Sequence, residues 1–278
     1  MRLGIGSYTY TWAIGIPGYP SPERKLTALD LIQKAVELNV QVVQICDNLP
    51  LHLLTPRELL EIKVAAEQAG IILEVGTRGI ESDHLRGYLK IAKFLNSNIL
   101  RVILHKENGV LEVDEALSLL QQIVPELEAF NITLAIENHE RHRVKDLAYL
   151  VKQLNTTYVG ICLDTVNSFG ALEAPEQVIQ ELAPFVVNLH YKDFIIKRID
   201  SMLGFEIIGR PAGQGMLDCA NLKQQLIESG KECSVILELW TPFTTSVEQT
   251  IKQENRWAKE SIGYLKMWMN ETLDIKNT

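Results

Sequence analysis

Short apolar runs at residues 3–7, 40–45, 71–75, 99–104, 133–137, 159–163, 186–190 and 234–239 recur along the chain, each followed by a polar loop and an amphipathic stretch. Runs of four to eight apolar residues bounded by turn signals read as strands buried on both faces. The stretches between them carry helix signals with defined ends. Thr55-Pro56-Arg57-Glu58 spells a capping box with proline at the first helical position, and its helix should end near Gly70. Ser246-Val247-Glu248-Gln249 has the same form and opens the last long helix, while Asp114, Pro175 and Asn221 suit the starts of three more. Leu117, Leu120, Ile123, Val124 and Leu127 follow the helical period.

Eight strands alternating with helices predict a parallel sheet covered by helices, and eight is the number that closes into a barrel. The expected fold is therefore α/β, a single (β/α)8 TIM barrel spanning residues 1–278, close to the ~250 residues typical of that fold. A doubly wound open sheet would want a Gly-rich phosphate loop after an early strand. Here the loop is Ser7-Tyr8-Thr9-Tyr10-Thr11-Trp12, which is aromatic. The two longest insertions, 13–26 and 188–222, are rich in Gly and Pro and placed to cover a pocket.

Charge narrows the partners. Twenty-seven basic against thirty-five acidic residues give a net −8, which argues against nucleic acid or an anionic membrane, since phosphates are held by clustered Lys and Arg. Cys46, Cys162, Cys219 and Cys233 are widely spaced and read as reduced thiols. The first residues enter a strand without a signal-peptide layout, and no apolar run approaches the roughly 20 residues of a membrane span. These features lead us to expect a cytoplasmic protein.

The chemistry sits where strands end, because barrel enzymes build their sites from strand C-termini and the loops that follow. Strands five to eight finish with Glu137, Asp164, His190 and Glu238. Taken singly, Asp164 reads equally as a helix cap and His190 as a core histidine. Four such groups on four successive strands read jointly as ligands for one divalent metal ion, Mn²⁺, Mg²⁺, Co²⁺ or Zn²⁺.

The segments IENHER, CLDTVNS, NLHYKD and ILELW that carry these four residues resemble the xylose-isomerase-like TIM-barrel superfamily over nearly the whole chain. That superfamily includes sugar-phosphate isomerases and epimerases, ketose 3-epimerases, inosose dehydratases and the endonuclease IV type of DNA-repair enzyme. The resemblance implies that Glu137, Asp164, His190 and Glu238 hold the metal and that Glu137 and Glu238 also move protons at the substrate carbon. Two departures stand out. Asn167 replaces the histidine that ketose epimerases and endonuclease IV relatives carry three residues after the aspartate, and Lys192-Asp193 follows His190 in place of an epimerase arginine. With GRPAGQGMLD, these features are most similar to a sugar phosphate isomerase/epimerase subgroup that includes decarboxylases of 3-oxo-isoapionate type.

A divalent ion chelated by a carbonyl and its neighbouring hydroxyl acidifies the adjacent C–H and stabilises an enediolate. The same platform serves isomerisation, epimerisation, decarboxylation and dehydration. The leading expectation is an isomerase or epimerase of a small ketose, sugar phosphate or keto sugar acid, followed by a lyase, with a DNA-repair hydrolase a distant third. The partner is a small polyhydroxy carbonyl compound. Candidate substrate contacts are Lys192 (otherwise a solvated lysine or an ion pair with Asp193), Arg210 in its Gly-rich loop, His139, Asn167, Gln44 and Arg78. Tyr8, Trp12 and Trp240 suit a sugar-facing wall or ordinary core packing, and Arg141 reads as surface. The C-terminal helix, with Trp257, Tyr264, Leu265, Trp268 and Met269, should bury against the barrel or against a second copy in a homo-oligomer.

Overall fold

The computed structural model describes residues 1–106 and 111–271; residues 107–110 and 272–278, including the end of the expected domain, lie outside the described residues. Barrel strands β1 (Arg2–Gly6), β2 (Val42–Ile45), β3 (Ile72–Arg78), β4 (Ile99–Ile103), β5 (Thr133–Glu137), β6 (Val159–Asp164) and β7 (Val186–Tyr191) are followed by a two-stranded hairpin, β8 (Asp193–Arg198) and β9 (Phe205–Arg210), and then by β10 (Ser234–Leu237). The helices are α1 (Thr11–Ile14), α2 (Ala28–Leu38), α3 (Pro56–Ala69), α4 (Ser82–Phe94), α5 (Val113–Phe130), α6 (Val144–Leu154), α7 (Pro175–Leu182), α8 (Cys219–Ser229) and α9 (Val247–Asn270). All eight strands outside the hairpin pair in parallel and close on themselves, β10 joining β7 to β1. This is a closed TIM barrel.

Helix ends follow local chemistry. Thr55 and Glu58 form the reciprocal box with Pro56 at the first position, and Gly70 closes α3 in the left-handed conformation at φ 67°. Ser246 caps α9 by accepting from the Gln249 N–H at 3.3 Å, and Pro175 opens α7. For α8 the cap is Asp218, which accepts from Asn221 N–H at 2.9 Å, so that helix begins two residues before the expected start.

The core lies between sheet and helices. Leu3, Ile5, Val43, Ile45, Leu73, Val75, Leu100, Val102, Leu134, Ile136, Ile161, Leu163, Leu189, Val235 and Leu237 all join the apolar cluster. The alternate positions point the other way, into the barrel, as the pleat requires. They include Gln44, Glu74, Arg101, Glu137, Cys162, Asp164, Asn188, His190 and Ser234, all buried. A polar barrel interior wrapped in an apolar shell is the frame that positions the site.

The C-terminal helix packs within its own chain, with Trp257, Leu265 and Trp268 buried and Trp268 edge-on to Tyr191 at 5.5 Å. Its Glu254 is buried and accepts from the backbone N–H groups of Trp12 and Ala13, tying the first loop to α9; burial pushes its carboxyl up to about 8. No helix among the described residues is long and apolar enough to cross a membrane.

Candidate active site

Glu137 ends β5, Asp164 ends β6, His190 lies one residue before the end of β7, and Glu238 follows β10. None is more than 2% exposed. Their heads converge: His190 Nδ1 lies 3.2 Å from Glu137 Oε2, 3.3 Å from Glu238 Oε1 and 3.9 Å from Asp164 Oδ2. Among the described residues, neither His190 Nδ1 nor Glu238 Oε1 makes a hydrogen bond of good geometry, although both atoms are buried. Buried acceptors are rarely left unpaired. Ligand atoms of Asp164, His190 and Glu238 all lie within 4.8 Å of one another, as do those of Glu137, Cys162 and His190. Three carboxylates and an imidazole around two orphaned polar atoms fit a hard-to-borderline divalent cation.

Cations of the chain itself flank this cluster. Arg101, only 2% exposed, donates through Nε to Glu137 Oε2, through Nη1 to Asp47 Oδ1 at 3.0 Å and to the Thr77 carbonyl at 3.2 Å. Arg78 Nε reaches Asp47 Oδ2 at 3.3 Å. Lys192 Nζ sits 2.7 Å from Asp164 Oδ2 and 2.8 Å from Glu238 Oε2, and 5.6 Å from the centre of the Trp240 ring. Asp164 also accepts through Oδ1 from the backbone N–H groups of Val166 and Asn167, bracing the turn after β6, while the short helix that follows has Val166 at its cap position with no side-chain cap bond.

The electrostatics follow from burial opposed by these pairs. Burial would raise the Glu137 carboxyl, but Arg101 and then His190 outweigh it and hold the group well below the usual carboxylate range. Burial would depress Lys192, yet Asp164, Glu238 and Glu137 hold it above an ordinary lysine, so it stays an ammonium. For His190 the same burial is overcome by Glu238 and Glu137, raising the ring. His139 is dominated by burial and falls to about 4, so it is neutral at neutral pH.

A cavity of about 390 Å³ opens on the cluster at the strand C-termini. Of the residues expected from sequence, Glu137, Glu238, Tyr8, Arg78, His139, Asn167, Lys192 and Trp240 line it. Gln44 does not. It lies beneath, fully buried, with its Oε1 2.6 Å from His190 Nε2. Arg210 is also off the wall: it ends β9 opposite Asp193, in the hairpin register. Lys192 pairs with Asp164 and Glu238 rather than with Asp193, which instead accepts four backbone N–H groups from Phe194, Gly213, Gly215 and Leu217. Trp12 turns away to donate to the Thr241 carbonyl and to pack on Tyr19 and Phe243. Arg141, with a 43% exposed side chain, approaches Glu140 at 3.8 Å.

Sequence reasoning missed Arg101 and Asp47. Arg101 stands inside the apolar run of β4 at a position that alternates with Leu100 and Val102, and a charge at inward parity in such a run was the available signal. Asp47 follows Cys46 directly after β2, where its head meets both arginines.

A profile of the xylose isomerase-like TIM barrel family matches residues 32–268. The chain belongs to that family. Within this xylose isomerase-like group it is 35% identical over 265 residues to 3-oxo-isoapionate decarboxylase of Pectobacterium atrosepticum, with 95% of each chain covered. Its fold matches D-psicose 3-epimerase of Clostridium cellulolyticum H10, solved with D-tagatose, at a TM-score of 0.71 and 16% identity, over 97% of this chain and 99% of that one. It also matches the IOLI protein with a bound zinc atom at a TM-score of 0.69 and 15% identity, over 95% and 99%. At such identities these two likenesses speak for the fold.

Proposed function

We propose that residues 1–278 form one catalytic domain, a divalent-metal-dependent lyase that decarboxylates a small polyhydroxy 3-oxo acid. One observation carries the choice among the reactions open to this family. Both oxygens of Glu137 are occupied, Oε2 by the Arg101 guanidinium and Oε1 by Asn167 Nδ2 at 2.7 Å. A carboxylate held from both sides and depressed well below its ordinary range is a poor base for carbon. Epimerisation and isomerisation need proton removal from carbon. Decarboxylation does not, because CO2 leaves its electron pair behind.

The pocket wall supports the same reading. Arg78, Arg101 and Lys192 line it opposite Glu137, Glu140 and Glu238, a balance that a bound divalent ion would tip toward an anionic substrate. The decarboxylase relative, alike over 95% of both chains, acts on an acid of this class by its name. Glu137, Asp164, His190 and Glu238 would hold the ion, which is Mn²⁺, Mg²⁺, Co²⁺ or Zn²⁺. When bound, such an ion supplies Lewis-acid withdrawal of electron density from a carbonyl. Arg101 and Asn167 keep Glu137 charged and oriented. Lys192, fixed as an ammonium, stabilises the negative charge that grows on the substrate as CO2 departs. Glu238, 2.8 Å from Lys192 Nζ, is the carboxylate placed to relay a proton taken up from solvent to the carbon left behind.

Isomerisation or epimerisation remains a second reading, favoured by Glu137 and Glu238 facing one pocket. Mass balance separates the two. Metal-loaded protein incubated with 3-oxo-isoapionate in deuterated water should release one CO2 per substrate. An isomeric product of conserved skeleton, carrying solvent deuterium and formed without CO2, would overturn the lyase reading.

A further inference from the structure

Below the candidate metal ligands lies a second polar layer that the proposed reaction does not use. Glu74 of β3 is 3% exposed, and Gln44 and Asn188 are fully buried. Glu74 Oε2 accepts from Gln44 Nε2 at 3.0 Å and from Asn188 Nδ2 at 2.9 Å, while Ser234 Oγ lies 2.5 Å from Glu74 Oε1. The Gln44 amide also donates to Asn188 Oδ1 at 3.0 Å. On its other side Gln44 Oε1 faces His190 Nε2 at 2.6 Å and accepts from the Cys46 thiol at 3.3 Å.

We propose that Glu74 is a positioning residue for the metal centre: by fixing the Gln44 amide in one orientation it makes His190 Nε2 the protonated nitrogen and leaves the Nδ1 lone pair facing the carboxylates. The proposal rests on the metal-centre reading above. An amide has two orientations, and only its surroundings choose between them. Turned over, Gln44 would set its oxygen against Glu74 Oε2 and Asn188 Oδ1, three acceptors together in a dry interior. Its NH2 would then point at His190 Nε2, which would have to be bare.

Glu74 settles that choice whichever form its own carboxyl takes. Its Oε2 accepts in either form, because the Ser234 hydroxyl beside Oε1 can donate or accept. With Gln44 held, its oxygen requires a donor from His190 Nε2. In a neutral ring the proton can occupy one nitrogen only, so Nδ1 is bare. That is the atom found without a partner among Glu137, Asp164 and Glu238. Hydrogen bonds to the distal nitrogen of a ligating histidine set its tautomer and tune affinity by about 10- to 100-fold.

The test uses the full chain and two readouts besides turnover. Long-range ¹H–¹⁵N correlation on ¹⁵N-histidine-labelled, metal-free protein, at a pH where His190 is neutral, should show the Nε2–H tautomer. Nδ1–H in the wild type would overturn the proposal. Calorimetry with Zn²⁺ should then show Glu74→Met binding about 10- to 100-fold more weakly. Glu74→Gln should stay within about threefold of wild type, because one carbonyl oxygen can still accept both amides while its NH2 donates to Ser234. An unchanged affinity in Glu74→Met, or a Glu74→Gln as weak as Glu74→Met, would overturn it. Should Glu74→Met fail to fold, Gln44→Leu breaks the same chain one bond nearer and must show the same loss; wild-type affinity there refutes the idea. A wild type that binds no Zn²⁺ would dismiss the metal centre, while the tautomer measurement would still decide the role of Glu74.

Discussion

Two buried polar layers are stacked inside one barrel, and they meet the cost of burial differently. In the lower layer, Gln44, Glu74, Asn188 and Ser234 bond to one another, and none of them carries an orphaned side-chain atom. The upper layer brings Glu137, Asp164, Glu238 and Asp47 against Arg101, Lys192 and Arg78, and still leaves His190 Nδ1 and Glu238 Oε1 without partners. Both layers are dry enough to make an unmet polar atom expensive. The lower one is complete as scaffold; the upper one keeps two unmet atoms, and under the metal reading a bound ion would satisfy them. Adjacent unmet polar atoms are a stronger mark of a site than the number of charges, since the upper layer already holds cations of its own.

The sharpest way to break this contrast is to remove an upper-layer acceptor. Glu238→Gln should lower turnover by about 10³, the range expected when a proton-transferring group is lost. It should leave the metal-free protein at least as stable to urea, because one of several crowded carboxylates is gone. Turnover near wild type would mean that the orphaned Oε1 marks nothing. Next in size is Arg101→Met. It strips Glu137 and Asp47 of their shared partner in a buried setting, and loss of one member of such a pair costs about 3–5 kcal/mol. We expect that loss in metal-free denaturation, together with solvent deuterium appearing in substrate recovered before turnover, as Glu137 is freed to act as a base. A stable Arg101→Met protein without exchange would show that the guanidinium does not restrain Glu137.

Metal should then discriminate the layers directly. EDTA should abolish turnover and Mn²⁺ or Mg²⁺ restore it. Ion at about a hundred times its dissociation constant should add about 2.7 kcal/mol to wild-type stability. The same concentration should add much less to Glu238→Gln. Equal stabilisation of the two proteins would place the ion elsewhere.

The sequence made the outer side of the barrel legible and the inner side only in part. Each strand keeps an apolar face toward the helices, so eight runs stood out whatever faced inward. Glu137, Asp164, His190 and Glu238 stood out because they come at or near the point where a run breaks. Arg101 did not, being enclosed by Leu100 and Val102. Residues 76–78 read as loop because Gly76-Thr77-Arg78 is polar, yet β3 continues through them: Arg78 keeps the inward parity of Glu74 and lines the pocket, while Thr77 faces outward to His84 at 2.7 Å. The insertion expected at 188–222 begins inside β7 and contains the β8–β9 hairpin. The Gly- and Pro-rich tail of that insertion masked the alternation before it. Gln44 was seen, but as a substrate contact, because a strand-end amide reveals nothing in sequence about whether it faces up or down.

Arg210 gives the smallest effect and the cleanest contest between the linear and the folded reading. In sequence, Gly209-Arg210-Pro211-Ala212-Gly213-Gln214-Gly215 suggests a guanidinium on a loop shaped to grip an anion. In the fold, Gly213 and Gly215 serve Asp193, and Gly209 packs against the Trp240 backbone. Gly213, at φ 77°, and Gly215 each give it a backbone N–H, and a Cβ on Gly215 would lie 2.1 Å from Asp193 Oδ1. The close approach accounts for the glycines without any ligand, and the guanidinium is left off the pocket wall. Arg210→Ala should therefore change kcat/KM by less than about threefold, under 1 kcal/mol of transition-state stabilisation. A loss of tenfold or more would put Arg210 on the substrate, and would mean that the hairpin carries it inward when substrate binds.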